Sequence, residues 1–416
     1  MTKLTKKHTT TKLNSSSINH LSKIIKTGLL LPDQKNTLDL IFNHLTKIQN
    51  DIDFNTLENN ITLFNAKDIG KSGAKVGTIN IKNKTYIIKY YSITKNKSFK
   101  YDFDKKCIRL YFPINEIIIN TIFQNIHQFI TKIQYLKFKK NYSHYIIPLK
   151  YIGITKDKSF IINEKVGINH NNIYMTNLHD VFTKNYIPLL LKSFNTNDTK
   201  TINELLTFIS KLLHSYFKCF IFLNDTIGYI NADLNLKNVF IKKSNNKTKS
   251  KKFITQYLPL ISDLDKATLK INNINILSSP SSYMERKLSK TKTRLSTIYN
   301  VRFNCSRNTS LCNRFKPYQF DMIVLLYHIY ILFYQKIYQK LDNKLNLKLY
   351  YDKLHILNTF VKNTLSLTDY EFELFYARIN SSIFLKMKSD IKLSFHINAM
   401  LYNFCKALNK KTKNKK

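Results

Sequence analysis

The chain has 416 residues, and its 67 Lys and Arg against 26 Asp and Glu give a formal net charge of +41. Hydrophobic residues at 43% and aromatic residues at 13% exclude a disordered chain, and the length suits two or three domains or one two-lobed enzyme. The charge favours polyanionic partners and says nothing about fold, and AT-rich coding alone would also enrich Lys, Asn and Ile.

The opening stretch, MTKLTKKHTTTKLNSSS, lacks the apolar segment of a secretory signal. Residues 1–60 read as a basic N-terminal extension, with a helix and a connecting strand at about 35–65. The tails at 1–27 and 406–416 are rich in lysine; they are solvated faces or contacts for nucleic acid or an anionic membrane. Cys107, Cys219, Cys305, Cys312 and Cys405 are scattered, which points to free thiols in a reducing, cytoplasmic compartment and not to a zinc site. The longest apolar run, Met322 to Tyr334, falls short of the roughly 20 residues a membrane-spanning helix needs.

The chain has only seven glycines, and Gly70, Gly73 and Gly77 fall close together. Strands are expected at Thr78–Ile81 and Tyr86–Tyr91, joined by a turn at Lys82-Asn83-Lys84. A Walker A loop is excluded, because Asn65 stands where its first glycine belongs and a strand, not a helix, follows. Two readings stay open: an ordinary hairpin, or a flap whose amides close over a nucleotide while Lys89 of the next strand reaches its phosphates. Residues 113–130 suit a helix with Pro113 in its first turn and one buried stripe of Ile114, Ile118, Ile122, Ile126 and Phe129. Glu116 near its start is either a partner for Lys89 or an acid favoured at a helix N-terminus.

Two further strands are expected at 146–152 and 159–164, then helices at about 177–194 and 202–223. The most specific pattern lies at 227–241, IGYINADLNLKNVFI. Asn238 follows Asp233 by five residues, a short strand comes next, and Asp263 follows a second apolar strand. One aspartate in this order can accept a hydroxyl proton, while the asparagine and the second aspartate hold Mg²⁺ on phosphates. Residues 242–252 read as the charged tip of a hairpin between these motifs.

Taken together, residues 61–335 resemble the protein-kinase-like phosphotransferases. The turn at 70–77 resembles the glycine loop, with looser spacing. Tyr86-Ile87-Ile88-Lys89 is similar to the Val-Ala-Ile-Lys strand, and Glu116 to its partner glutamate. Asn231-Ala232-Asp233-Leu234-Asn235-Leu236-Lys237-Asn238 resembles the catalytic loop, and Asp263-Leu264-Asp265 the Asp-Phe-Gly triplet. Gln319-Phe320-Asp321 with its apolar continuation resembles the start of the central helix whose aspartate supports that loop. The nearest likeness is to divergent serine/threonine kinases of large DNA viruses, the poxvirus type, which would place the chain in host cytoplasm or virion.

The resemblance implies an α+β, bilobal fold. A small antiparallel β lobe with one helix would span 61–166, and a mainly helical lobe 167–416, including a long basic activation segment at 266–316. It implies ATP bound between the lobes under Gly70, Gly73 and Gly77, with backbone groups of Glu164 and Val166 at the adenine. Lys89 would orient the α- and β-phosphates, Glu116 would position Lys89, Asn238 and Asp263 would hold Mg²⁺, and Asp233 would take the acceptor proton.

Some positions depart from the family. Asn231 replaces a histidine, Asn235 replaces a lysine that neutralises γ-phosphate charge, and Asp265 replaces a glycine. Lys237 could supply the missing cation or be a solvated lysine; Asp265 is expected to cap the local turn or to touch a metal. No Ala-Pro-Glu closes the activation segment, which is expected to be mobile, with Ser and Thr that could pair, once phosphorylated, with Arg294, Arg302 or Arg307. The expected activity is transfer of the γ-phosphate of ATP to Ser or Thr of a protein, an acidic one for so basic an enzyme. The alternatives are a sugar or lipid kinase of the same fold, a catalytically dead scaffold, and a basic nucleic-acid-binding protein.

Overall fold

The computed structural model describes residues 58–64, 74–92, 101–104, 107–110, 114–154, 158–170, 173–231, 233–243, 257–271, 274–278, 317–338 and 347–387, with 400, 403–404 and 407 beyond them. It is a mixed α+β structure of two compact units. The first comprises Met1–Val166, Thr226–Gly228 and Asp263–Ser281; the second comprises Gly167–Asp225, Tyr229–Ser262 and Ser282–Lys416.

The first unit opens with β1 (Ile61–Leu63), β2 (Lys75–Ile81) and β3 (Lys84–Ser92). Lys82 and Asn83 link β2 to β3 with φ of 47° and 62°, the left-handed values that a two-residue hairpin turn needs to match strand twist. The turn is one residue shorter than expected, since Lys84 already pairs with Ile81. The short antiparallel pair β4 (Tyr101–Asp104) and β5 (Cys107–Leu110) follows, where no strands were expected.

Next comes α1 (Ile114–Gln124), shorter than the expected 113–130 because a 3₁₀ turn at Ile126–Gln128 replaces its end. Its burial is not one stripe: Ile117, Ile118, Ile119, Ile122 and Phe123 are all buried, along with Asn115, Glu116 and Thr121. A further helix, α2 (Lys132–Asn141), starts at a capping box in which Thr131 and Gln134 satisfy each other's backbone N–H. Its lysine-rich face gave little apolar periodicity to read. The strands β6 (Leu149–Ile154) and β7 (Lys158–Glu164) complete an antiparallel five-stranded sheet of order β1-β2-β3-β7-β6. Ile79, Ile88, Tyr90, Phe160 and Ile162 form the core against one face of this sheet.

The second unit begins with the hairpin β8 (Ile168–His170) and β9 (Ile173–Met175). The helix expected at 177–194 forms as α3 (Leu178–Val181), capped by Asn177, and α4 (Ile187–Asn195), with a π-helical turn at Phe182–Tyr186 between them. Pro188, at the start of α4, has no N–H to donate to the preceding turn, which favours such an irregularity there. The long α5 (Thr199–Ile227) is long and apolar enough to cross a membrane by length and composition. Its Leu205, Leu206, Ile209, Leu213, Tyr216 and Phe220 are nonetheless buried, as in the core helix of a folded unit. The hairpin β10 (Val239–Lys243) and β11 (Tyr257–Ile261) appears where two strands were expected.

The chain then returns to the first unit. β12 (Thr268–Ile271) pairs with β13 (Ile274–Ser278), and β13 runs parallel to β5, giving a second sheet of order β12-β13-β5-β4. This corrects the reading of 266–316 as one long mobile linker. Thr268–Ile271 and Ile274–Ser278 are strands, with Leu269, Ile271 and Ile276 buried. It also corrects the boundary that assigned everything after 167 to the second body, although Val166 does end the first continuous part of unit one. Arg294, Arg302, Arg307 and the neighbouring hydroxyl residues lie outside the described residues.

Among the described residues, the second unit continues with α6 (Pro317–Phe333), α7 (Leu347–Leu365) and α8 (Asp369–Met387). Met322, Ile323, Leu325, Leu326, Tyr327 and Ile329 are all fully buried, so α6 is enclosed on nearly every side. A reciprocal cap between Thr368 and Glu371 starts α8.

Candidate functional site

Among the described residues of the first unit, Lys89, Tyr91, Glu116, Asp263 and Asp265 form a cluster of titratable side chains. Lys89 and Tyr91 lie two apart on β3 and so share a face of the strand, while Ile88 and Tyr90 turn to the other face and the core. Glu116, in the first turn of α1, accepts a hydrogen bond from Lys89 Nζ on Oε1 at 3.0 Å and from the Tyr91 hydroxyl on Oε2 at 2.5 Å. Lys89 Nζ also lies 2.7 Å from Asp263 Oδ1 and 5.5 Å from the centre of the Tyr91 ring.

Burial works against the Lys89 charge, but Asp263 and Glu116 overcome it and hold its pKa well above the ordinary lysine value. Burial also works against ionisation of Asp263, and Lys89 outweighs it, so this carboxyl stays below the usual aspartate value. Glu116 is raised, because burial exceeds what Lys89 returns. Asp263 therefore faces Lys89 as a carboxylate, which is the form that binds a hard divalent cation.

Asp263 has a φ of 52°, uncommon for a residue with a Cβ, and leads into a 3₁₀ turn at Leu264–Lys266. Asp265 does not cap that turn with its side chain, contrary to expectation: its Oδ1 is buried without a hydrogen-bond partner. A carboxylate oxygen of Asp265 lies within 4.8 Å of one of Asp263. Burial, and then Asp263, push the Asp265 carboxyl up to about 7. Asn115 Nδ2 donates to the Asp265 carbonyl, which ties the turn to the first turn of α1.

The second unit carries the other cluster. Asp321, fully buried on α6, accepts the Asn231 N–H on Oδ2 at 2.7 Å, so the expected support of the loop by this helix is present. Asn231 Nδ2 donates to the Tyr229 hydroxyl at 2.9 Å, and its Oδ1 accepts the Asp233 N–H at 3.1 Å. The Asn231 amide thus ties together Tyr229 and the Asp233 backbone of this loop. Asn235 Oδ1 accepts the N–H groups of Lys237 at 3.0 Å and Asn238 at 3.2 Å, while its Nδ2 donates to the Asp233 carbonyl at 3.1 Å. Asn238 Nδ2 donates to the Asp233 carbonyl at 3.0 Å and to Asp233 Oδ2 at 3.3 Å. Both bonds use the amide nitrogen and leave Oδ1, the atom that suits Mg²⁺, as the other end of the side chain. Ser262, the residue before Asp263, donates its hydroxyl to the Asn238 carbonyl. Lys237 is exposed, as a solvent-facing cation would be.

Five further residues were expected at the nucleotide. Gly70 and Gly73 lie outside the described residues. Gly77 is not in a turn: it sits inside β2, opposite Leu63 on one side and Ile88 on the other. A Cβ there would press into the Thr62 carbonyl, so the close approach of β1 accounts for this glycine. The Glu164 N–H is used by the Pro148 carbonyl at 3.1 Å, and the Glu164 carboxylate pairs with Lys150 at 2.8 Å. Val166 is half-buried at the end of the first continuous part of the unit.

Tyr91 and Asn115 were missed. The signal for Tyr91 was its place two residues after Lys89 on one strand face. Asn115 had no signal, because its partner lies 150 positions away. The chain matches no family model and no curated protein.

Proposed function

We propose that the chain is an ATP- and Mg²⁺-dependent phosphotransferase of the protein-kinase-like, bilobal type, acting on Ser or Thr of a protein. The observation that carries this reading is Lys89 Nζ held between Glu116 at 3.0 Å and Asp263 at 2.7 Å, three residues far apart in sequence. A lysine kept charged on a strand, oriented by one carboxylate and adjacent to another, is the arrangement that phosphoryl-transfer sites need. The self-tied loop with Asp233 and Asn238, braced by Asp321, is the second support.

In this reading Asp263 and the Asn238 side-chain oxygen would hold Mg²⁺, and Lys89 would bind phosphate oxygens of ATP. When bound, ATP supplies the γ-phosphoryl group and Mg²⁺ neutralises charge on its oxygens. Glu116 keeps Lys89 in place. Asp233 accepts or orients the proton of the acceptor hydroxyl, which aligns that oxygen for in-line attack. Lys237 stands ready as a cation for the γ-phosphate, because Asn235, at the position of the family's lysine, is neutral and spent on loop hydrogen bonds. That neutral Asn235, with Asp265 in place of a glycine, also favours a second reading: a kinase of this type acting on a sugar or lipid hydroxyl.

The test is Mg²⁺-dependent transfer of labelled γ-phosphate to acidic and basic protein acceptors and to a panel of small hydroxyl compounds. Lys89→Met, Asp233→Asn and Asp263→Asn should each lower the rate by about a hundredfold or more. Label on small compounds alone selects the second reading. Transfer that survives all three substitutions would reject both.

A further inference from the structure

Tyr91 stands outside the proposed machinery, yet it touches it twice. Its hydroxyl donates to Glu116 Oε2 at 2.5 Å, and its ring lies 5.5 Å from Lys89 Nζ. The side chain is nearly sealed from solvent, at 2% exposure. A phenol that is buried needs a partner for its hydroxyl, and Glu116 provides one.

We propose that Tyr91 is a positioning residue: it fixes the second oxygen of Glu116 and so orients Lys89 toward phosphate. This inference rests on the phosphotransferase reading above. A carboxylate held on one oxygen only can rotate about its last bond. With Lys89 on Oε1 and the Tyr91 hydroxyl on Oε2, both ends are fixed and the carboxylate plane is set. Both donors come from the same face of β3, while Glu116 comes from α1, so the helix is fastened to the strand at two points. The preceding residue, Asn115, ties the same turn of the helix to the Leu264–Lys266 turn through the Asp265 carbonyl. Tyr91 thereby keeps Glu116 engaged even where Lys89 is occupied with phosphate or with Asp263. The ring face adds a second contribution, since an ammonium near an aromatic face is attracted by its quadrupole.

Two measurements test this, both on the full chain. The first is spectroscopic and needs no turnover. With 3-fluorotyrosine at position 91, the ¹⁹F resonance should move when Glu116→Gln is introduced and should not move with the remote substitution Glu371→Gln. A resonance blind to Glu116→Gln would overturn the proposal. The second is kinetic. Tyr91→Phe keeps the ring and should lower kcat about tenfold, with little change in the KM for the acceptor. Combined with Glu116→Gln it should cost no more than Glu116→Gln alone, because both remove the same coupling. An active wild type with full kcat in Tyr91→Phe would overturn the positioning role and leave the phosphotransferase reading intact. A wild type with no transfer to any acceptor would overturn that reading and, with it, this role; the fluorine signal would then report a structural contact only.

Discussion

Asp265 introduces an acid beside Asp263 where the resembled family has a glycine. Burial, and then the neighbouring Asp263, raise its carboxyl to about 7. An unfolded chain releases that proton near pH 4, at about the ordinary aspartate value of 3.9. The folded protein therefore binds more protons between those values, and stability falls as pH rises through that window. Asp265→Asn should remove this slope. In EDTA, chemical denaturation should show the variant gaining on the wild type above pH 7 and matching it near pH 4. A difference independent of pH would contradict the assignment. The same residue shows what sequence could and could not supply. Lys89, Asp233, Asn238 and Asp263 could be singled out as candidates from residue type and order along the chain alone. The state of Asp265 was not legible, because it depends on who shares its burial after folding, and the same holds for Tyr91 and Asn115.

Among the elements, the end of α5 gives the clearest case of backbone demand. Gly228 has a φ of 59°, and an added Cβ would meet the side chain and backbone of Lys270 on β12. Both costs act together, so Gly228→Ala should destabilise the protein by about 1–3 kcal/mol, read as a lower denaturation midpoint with an unchanged slope. A neutral substitution would mean that β12 yields at no cost. Elements with strong apolar alternation or periodicity were placed correctly, β7 to within one residue, β3 to within two and α5 to within four at each end. Those that escaped are short or unevenly patterned. β4 and β5 have four residues each, too few for a period to show. α1 was found but its burial was misjudged, because a helix enclosed on several sides has no single stripe.

For the molecule as a whole, the net charge of +41 sets the long-range field. Attraction of an acidic acceptor through that field is screened by salt, with a reach of about 10 Å at 0.1 M and about 3 Å at 1 M. The KM for an acidic peptide acceptor should therefore rise several-fold between about 50 and 500 mM salt, while that for an uncharged acceptor moves little. Equal salt sensitivity for both would assign selection to local contacts instead. At this scale the boundary at Val166 was legible from the strand ending ahead of Gly167, whereas the return of 263–281 to the first unit was not. That return depends on β13 pairing in parallel with β5, a contact between segments well over a hundred residues apart.

The return has a consequence for how the protein is made. The first unit is encoded in separated pieces, and its last strand leaves the ribosome roughly 115 residues after Val166. At about 5–20 residues per second, β5 waits roughly 8–34 seconds for β13, about 168 residues later, to complete the second sheet. During that wait β5 presents an unpaired edge, which is the interval in which a nascent chain is most exposed to wrong pairing or to capture by chaperones.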